Sequence, residues 1–488
     1  MQHYQPKLKK DRSRSPSLRR ERKRDQAINH RIVFLLAIII LVASPSSGLA
    51  QQKEERASGE VSVRASGEVL SLEEAISLAL RDNRQVKNAQ LAVGKAEDQV
   101  AATRTFRLPK FEFNTLATQN LTGMDFTFTK GVLGNYPNVG PIPDRDIKLR
   151  TPLRPTAILN GQVTMPLSQQ YRLGLNVKQV ALSGDVAREQ LRSHEQSVVN
   201  NVKRTYYSIL QTQSALQSVQ EALRFYRELD RVTGDYVVQQ VALKADELDV
   251  KTKLAKTETE ALTVGNQLAT LKEQLNQLVG RDISAEFRVN PAPELSWVEL
   301  DLTAARTQAL ESRPEVREAR LRIRQAELDK RVKRSEYIPD VSLALTYVSP
   351  VNFNDFVPKN FAGVGFQMNW EVFDWGRKKH QLAEKEKTIE QANNSLREAE
   401  NSVRIEVGAK LRELQQARQA LRVAQLKQET AREYMRVSLN KYRVKVALLS
   451  DALQTQATLA DADYQYQQAL LAFWTARADY EKAIGADK

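Results

Sequence analysis

The sequence contains a long internal duplication, and this feature restricts the possible folds more than any other. A shift of 230 residues aligns 72–109 with 302–339 without a gap, and a shift of 205 residues aligns 162–280 with 367–485. The change of offset leaves 25 additional residues in the first copy, before Gln162. Two ungapped alignments in the same order predict two structural repeats of the same architecture.

The duplication divides the chain into a first repeat over 71–280, a linker over 281–300 and a second repeat over 301–486. Each copy begins with short amphipathic helices. A proline, Pro109 or Pro339, follows the second of them, and proline ends a helix because it cannot donate a helical hydrogen bond. A strand pair and a long helical stretch come next in both copies, so we expect a mainly α fold with a small β contribution.

Alternation of apolar and polar residues predicts one β-hairpin in each copy. The predicted strands cover about 110–121 and 157–168 in the first copy, and about 340–349 and 361–373 in the second. Runs of about ten such residues are typical of strands that cross an outer membrane. Trp370, Phe373 and Trp375 lie at one end of the last strand and are predicted to form a membrane aromatic girdle. The additional segment Leu121–Ala157 is rich in Gly, Pro, Asn and Asp, which predicts a loop.

The remaining segments are predicted to be long helices, since proline is absent from 167–290 and from 359 to the C-terminus. Apolar residues at spacings of three and four predict a coiled-coil-like stripe, formed by Ile389, Ala392, Leu396, Ala399, Val403, Val407, Leu411 and Leu414. Breaks are expected near Tyr236–Leu243 and Tyr442–Leu448, so each repeat ends in a helical hairpin with arms of about 55–60 residues, roughly 85 Å long.

The N-terminal fifty residues have the layout of a secretory signal peptide. A basic stretch precedes the apolar run Ile32–Ala43, and small residues lead to a predicted cleavage after Ala50. Residues 51–70 are then expected to be a flexible N-terminal segment. The formal charge of +14 includes +8 from residues 1–31, so the rest of the chain is nearly balanced and gives no indication of nucleic-acid binding.

The composition offers little material for catalysis. The chain has no cysteine and four histidines, two of them near the N-terminus. This excludes disulfides and thiol nucleophiles, and we predict neither a catalytic residue nor a cofactor or metal site. The carboxylates lie at helical spacings of three and four, which is typical of a solvated helix face.

The ordered duplication resembles the outer-membrane efflux protein family (TolC-like). Two segments carry the local similarity, Phe373–Arg377 (FDWGR), which is similar to the family's strand-to-helix corner, and Tyr442–Leu453 (YRVKVALLSDAL), which is similar to its hairpin tip. The resemblance implies a homotrimer with a twelve-stranded barrel and an α-helical tunnel, with the linker in an equatorial region. It also implies an outer-membrane location in contact with lipid, with the helices in the periplasm, and it implies a periplasmic adaptor and an inner-membrane transporter as partners.

The resemblance also implies roles for residues at the hairpin tips. Asp246, Asp451 and Tyr442 match the periplasmic entrance or gate, and the adaptor-contact tips correspond to Val241, Ala242, Leu243, Val446, Ala447 and Leu448. Gln240 and Lys445 stand where the family usually has glycine. For the two aspartates, helix capping remains an alternative, and both roles are compatible.

We therefore expect a passive exit duct of a tripartite efflux pump or a type I secretion system, not an enzyme. The alternative is a secreted coiled-coil structural or tethering protein, which accounts for the long helices but not for the paired alternating strands. The physics of the strands favours the duct, because four strands cannot close a barrel alone and an open edge in hydrocarbon leaves backbone groups unsatisfied.

Overall fold

The structure, a computed structural model, describes residues 69–119, 121–123, 125–150, 153, 155–240, 243–290, 301–352, 359–444 and 446–486. The chain divides into two units, Met1–Ala65 and Ser66–Lys488, and every described residue belongs to the second. The predicted signal peptide and most of the predicted linker lie outside the described residues. Of the predicted N-terminal segment, only Val69 and Leu70 are described, and they form a short strand.

The described residues are mainly helical, as the sequence predicts. The helices are α1 (Leu72–Asp82), α2 (Arg84–Thr105), α3 (Gln170–Val238), α4 (Lys244–Val279), α5 (Leu302–Ser312), α6 (Pro314–Ser335), α7 (Arg377–Arg443) and α8 (Leu449–Ala483). The strands are β1 (Val69–Leu70), β2 (Lys110–Gln119), β3 (Asp125–Phe128), β4 (Asn135–Tyr136), β5 (Gly140–Pro141), β6 (Ile147–Arg150), β7 (Pro155–Pro166), β8 (Arg288–Val289), β9 (Asp340–Val351) and β10 (Phe361–Asn369).

Four long strands form one antiparallel sheet in the order β10-β9-β7-β2. The helices that precede or follow these strands pack in the matching order, because α2 contacts α3, α3 contacts α6, and α6 contacts α7. Each strand is thus joined through the chain to a helix at the same place in the row. The additional segment, predicted to be a loop, instead contains two small hairpins, β3 with β6 and β4 with β5, neither of which pairs with the four-stranded sheet.

The register of the sheet separates its side chains into an apolar and a polar face, because successive residues of a strand point to opposite sides. Phe111, Val163, Leu345 and Val364 form one apolar row across the four strands. Members of the same face include Phe113, Leu159, Met165, Leu343, Tyr347, Phe366 and Met368. The opposite face carries Glu112, Asn114, Asn160, Gln162, Ser342, Thr346, Gln367 and Asn369.

The hydrophobic core lies where α1 and α5 pack against the middle of the long helices. Val403, Val407, Leu411 and Leu414, the second half of the predicted stripe, are buried in it, and the first half is partly buried. The buried Tyr206 ties this layer to the short parallel pair of β1 and β8. Its hydroxyl donates to the Leu70 carbonyl at 3.1 Å and accepts from the Asn290 N–H at 3.0 Å.

The helical hairpins have unequal arms, so the prediction of arms of 55–60 residues was wrong. In the first repeat α3 has 69 residues and α4 has 36, and in the second α7 has 67 and α8 has 35. The return arms are short because each ends at a glycine in the left-handed conformation, Gly280 (φ 74°) and Gly485 (φ 73°), where the chain leaves the helix.

A matched contact, here called the clasp, holds the end of each return arm against the start of the second short helix. In the first clasp the Asn83 side chain donates to the Leu278 carbonyl at 2.8 Å while its oxygen caps α2 through the Gln85 N–H. In the second, Arg313 occupies the equivalent position and donates to the carbonyls of Lys482 and Ala483. The clasps satisfy carbonyls that a helix end otherwise leaves without a partner.

The Arg313 clasp is ionic and buried. Its guanidinium is 7% exposed and pairs with Glu315 on its own helix and with Glu406 on α7, each at 2.9 Å. The two repeats therefore use one position for the same task with different chemistry, a neutral amide in the first and an ion pair network in the second.

We predict that Gly280→Ala destabilises the fold. A Cβ there would stand 2.6 Å from the Asp82 carbonyl oxygen, and the left-handed backbone alone costs about 1–2 kcal/mol for a residue with a side chain. Gly265→Ala is the matched control, since its Cβ meets no atom within 4 Å and alanine is favoured inside α4. Thermal unfolding followed by circular dichroism should give a lower midpoint for Gly280→Ala and an equal or higher one for the control; equal midpoints would contradict the clasp.

Candidate functional site

The hairpin tips lie where the sequence predicts the breaks. α3 ends at Val238 and α4 begins at Lys244, while α7 ends at Arg443 and α8 begins at Leu449. Of the predicted adaptor-contact residues, Val241 and Ala242 lie outside the described residues. Those of the second tip are described, with Val446 and Leu448 exposed and Ala447 partly buried.

Exposed aliphatic side chains mark both tips. Val238 and Leu243 flank the first turn and are 84% and 70% exposed. Val444, Val446 and Leu448 at the second turn are 69–75% exposed. Five exposed branched side chains at the ends of two helical hairpins form an apolar surface that nothing in the described chain covers.

Gln240 adopts the left-handed conformation, with φ of 59°. This is the position where the resembled family usually has glycine, so the turn keeps its shape while a side chain replaces hydrogen. Left-handed backbone is unfavourable for glutamine because its Cβ crowds the carbonyl oxygen. The equivalent Lys445 lies outside the described residues.

Asp246 and Asp451 both stand three residues after the residue that caps the return arm. The Asp246 carboxylate accepts the Leu243 N–H at 3.2 Å, and the Asp451 carboxylate accepts the Leu448 N–H at 3.3 Å. Leucine has no side-chain acceptor, so only this half of a capping box forms. The capping role left open by the sequence therefore has direct geometric support. Asp451 is also exposed and Asp246 partly exposed, which leaves both carboxylates accessible to solvent.

Tyr442 belongs to a small hydrophobic cluster in which all four arms meet. Leu229 of α3, Val250 of α4 and Leu453 of α8 are buried there, and Tyr442 of α7 packs against them. Burial raises the pKa of the Tyr442 hydroxyl, and the charges of Tyr236 and Asp246 add to the rise. The structure thus brings Tyr442 near the first tip's Asp246, and links the two hairpins just inside their ends.

Glu247 is an element that the sequence analysis missed. Its side chain is 10% exposed and lies between Lys244 and Lys251, each with its ammonium nitrogen 2.6 Å from a carboxylate oxygen. Hydrogen bonds from both lysines lower the pKa of Glu247. The spacing of three residues before and four after is the helical signal that could have identified this pairing.

The predicted aromatic girdle lies at the corner between β10 and α7. Trp370, Phe373 and Trp375 are all exposed, Trp375 to 89%, and the rings of Phe373 and Trp375 contact edge to face at 4.8 Å. Asp374 holds the corner by accepting the N–H groups of Gly376 and Lys378. A local hydrogen-bonded turn therefore presents large aromatic rings to the surroundings instead of to the core.

The described residues contain no group of three or more His, Asp or Glu side chains that could hold a metal ion. Within the same residues, no helix combines the length and apolar character needed to cross a membrane.

We predict that Gln240→Gly makes the first tip more stable than Gln239→Gly does. Both changes introduce the same flexibility into the unfolded chain, but only the first removes a side chain from a left-handed residue, since Gln239 has φ of −79°. The difference should be about 1–2 kcal/mol. Hydrogen exchange of the amides in 230–250 should be slower in Gln240→Gly than in Gln239→Gly; the reverse order would contradict the assigned backbone.

Comparison with known proteins confirms the resemblance. Residues 305–486 match the model of the family described as Outer membrane efflux protein. An uncharacterized protein of Haemophilus influenzae is 21% identical over 243 residues, 48% of this chain and 52% of that protein, so the chain spans about half the length of this curated relative.

Solved structures of outer-membrane channels have a similar fold. The outer-membrane channel OprN gives a TM-score of 0.68 at 16% identity over 85% of this chain and 89% of its own. CmeC of Campylobacter jejuni gives 0.68 at 14% identity over 85% of each chain. VceC of Vibrio cholerae gives 0.64 at 15% identity over 85% of this chain and 96% of its own. The second repeat of this chain is thus an outer membrane efflux protein domain, and the chain as a whole has the fold of outer-membrane channels.

Proposed function

We propose that the mature chain is one protomer of a trimeric outer-membrane duct, through which an efflux pump or a type I secretion system releases its substrate. The observation that carries this proposal is the four-stranded sheet with one apolar and one polar face. Strands of this kind suit a wall between lipid and an aqueous lumen. A secreted coiled-coil tether has no use for such a sheet, and we therefore favour the duct.

The edges of the sheet support closure by further copies of the chain. β2 and β10 are the edge strands, and alternating direction across the row makes them antiparallel to each other. In a hydrocarbon environment unpaired backbone groups cost several kcal/mol each, so the edges need partners. Pairing β2 of one chain with β10 of the next continues the antiparallel order, and three chains give a barrel of twelve strands.

The internal repeat supplies the register of this intermolecular pair. The hairpins of the two copies have the same register, because Lys110 pairs with Thr164 and the equivalent residues Asp340 and Asn369 also pair. Between the copies, Val163 pairs with Leu345. Adding 205 to the first position and subtracting 230 from the second transfers this pair to Met368 and Thr115 of neighbouring chains.

We predict that Thr115→Cys/Met368→Cys forms disulfide-linked dimers and trimers under mild oxidation in the membrane. The chain has no native cysteine, so any link joins the introduced residues. The related pair Ala117→Cys/Phe366→Cys samples the neighbouring position of the ladder, since only one of two successive pairs brings the Cβ atoms close enough. Non-reducing electrophoresis reports the products.

Two control variants make this test specific. Val163→Cys/Leu345→Cys should link within one chain, because these residues already pair. Leu116→Cys/Met368→Cys should give no ladder, since a shift of one residue places the cysteines on opposite faces of the sheet. A ladder from the shifted pair, or none from either predicted pair, would count against this closure.

The helices continue the barrel as the wall of a periplasmic tunnel. Their order in space follows the order of the strands, so a closed ring of strands carries a ring of helices. The exposed aliphatic tips are the surface that we assign to a periplasmic adaptor, which couples the duct to an inner-membrane transporter. The duct itself catalyses no reaction, and its substrate is selected by that transporter.

We predict that Asp246→Asn/Asp451→Asn lowers the cation selectivity of the duct without loss of folding. Three chains bring six carboxylates to the entrance, and clustered negative charge attracts cations. Asparagine retains an acceptor for the N–H groups of Leu243 and Leu448, so the helix starts persist. The reversal potential across a planar bilayer in a salt gradient measures the effect. Unchanged selectivity in a folded variant would restrict both aspartates to capping.

A further inference from the structure

The four junctions between sheet and helices share a pattern that the duct function does not require. Each junction has an exposed aromatic ring close to the sheet: Phe106, Tyr171, Tyr337 and Trp375. Each also has an exposed base farther into the helix, and these bases are Arg104, Lys178, Arg331, Arg334 and Lys379, here called the basic belt.

The belt is a net positive surface because nearby acids already have partners. The junction segments 103–112, 166–178, 331–340 and 369–380 together hold eleven Lys or Arg and five acids. Glu112, Glu336, Asp340 and Glu371 pair with bases outside the belt, and Asp374 accepts two backbone N–H groups. No ion pair within 4 Å involves a belt residue in the described part of the chain.

Two belt residues line a common groove between α3 and α6. Lys178 and Arg331 share this 380 Å³ groove with Arg324, and Leu182 and Leu328 supply apolar walls. The groove also contains two carboxylates. Asp185 is paired with Arg188 at 2.6 Å, which leaves Glu327 opposite three bases. A net positive, partly aliphatic groove fits a phosphate with an attached acyl chain.

The depth of the groove fits the head-group layer beneath the sheet. Lys178 follows the start of α3 by eight residues, and Arg331 precedes β9 by nine. At 1.5 Å per helical residue both lie about 12 Å from the sheet. Interfacial aromatic rings mark the edge of the hydrocarbon, and Lys and Arg just beyond them contact lipid phosphates.

We propose that the basic belt and its groove bind anionic phospholipid head groups of the periplasmic leaflet, in preference to zwitterionic ones. This inference depends on the proposed insertion of the sheet into the outer membrane. Phosphatidylglycerol is the simplest probe, because it differs from phosphatidylcholine in net charge while keeping the phosphate and the acyl chains. Each base near a charged lipid surface contributes about a fivefold gain in affinity.

The test compares lipid retention by two variants of equal charge change. The belt variant replaces Arg104, Lys178, Arg331, Arg334 and Lys379 with glutamine. The control variant makes the same change at five bases along the long arms that are also exposed and without an ion pair: Arg224, Lys256, Arg397, Arg412 and Arg422. Purified protein in a nonionic detergent is mixed with phosphatidylglycerol or phosphatidylcholine, and native mass spectrometry counts the lipids retained per assembly.

Wild type and control should retain phosphatidylglycerol over phosphatidylcholine, and the belt variant should lose at least fivefold of that preference. Should the belt variant fail to fold, Lys178→Gln/Arg331→Gln alone should lower the preference, and in the wild type 0.5 M NaCl should lower it as well. Competition by inorganic phosphate without loss of lipid preference identifies the lipid as the ligand.

Equal retention by belt and control variants would overturn the proposal, and so would a belt variant that alters ion selectivity alone, because its bases would then line the lumen. Failure of the wild type to insert into phosphatidylcholine vesicles would instead overturn the duct function. Insertion without a preference for phosphatidylglycerol would leave the duct standing and remove only the belt.

Discussion

The pairing of β7 with β9 is the constraint on which the rest of the fold depends. This pair joins the two repeats, fixes which side chains face the same side of the sheet, and sets the order in which four helices leave it. A shift of one residue would exchange the apolar and polar faces of one repeat relative to the other. The amphipathic wall exists only in the observed register.

Below the sheet, the clasps perform the corresponding task for the helices. A return arm of about 35 residues would expose carbonyls at its end and leave its partner helix unsupported. Asn83 and Arg313 bind those carbonyls and bring α1 and α5 onto the long arms, which creates the buried layer around Val202 and Val407. The sheet and the clasped layer are therefore two separate places where the repeats are held, with coiled helices between and beyond them.

Much of this architecture could be predicted from sequence because it is periodic. The stripe through Val407 and the alternation through Leu345 report local geometry at spacings of three to four and of two residues. The pairing of Val69 and Leu70 with β8 could not be predicted, since two residues contain no period and the partner is over 200 residues away. The unequal arms were missed because helical residues continue through the buried layer, and nothing local distinguishes a core segment from an exposed one.

At the candidate site, the sequence located the turns and both aspartates but not their local chemistry. The N–H groups bound by Asp246 and Asp451 follow from where each helix begins, to the residue, and this boundary is the least certain part of a sequence-based assignment. The burial of Glu247 and Tyr442 depends on the other hairpin, which no local pattern reports. The left-handed turn at Gln240 was likewise hidden, because glutamine gives no indication of such a backbone.

The uninterrupted length of α3 has a mechanical consequence. The helix passes the clasped layer near Val202, about midway between the sheet and the tip, so about 50 Å of rigid rod extends to either side. A rod held at its middle acts as a lever of equal arms, and a tip that swung outward would drive the other end inward by the same distance. The ladder of the sheet resists that displacement. Movement at the tip must then come from flexing of the outer arm alone, which makes the clasped layer the fulcrum and isolates the strands from whatever pulls on the hairpins.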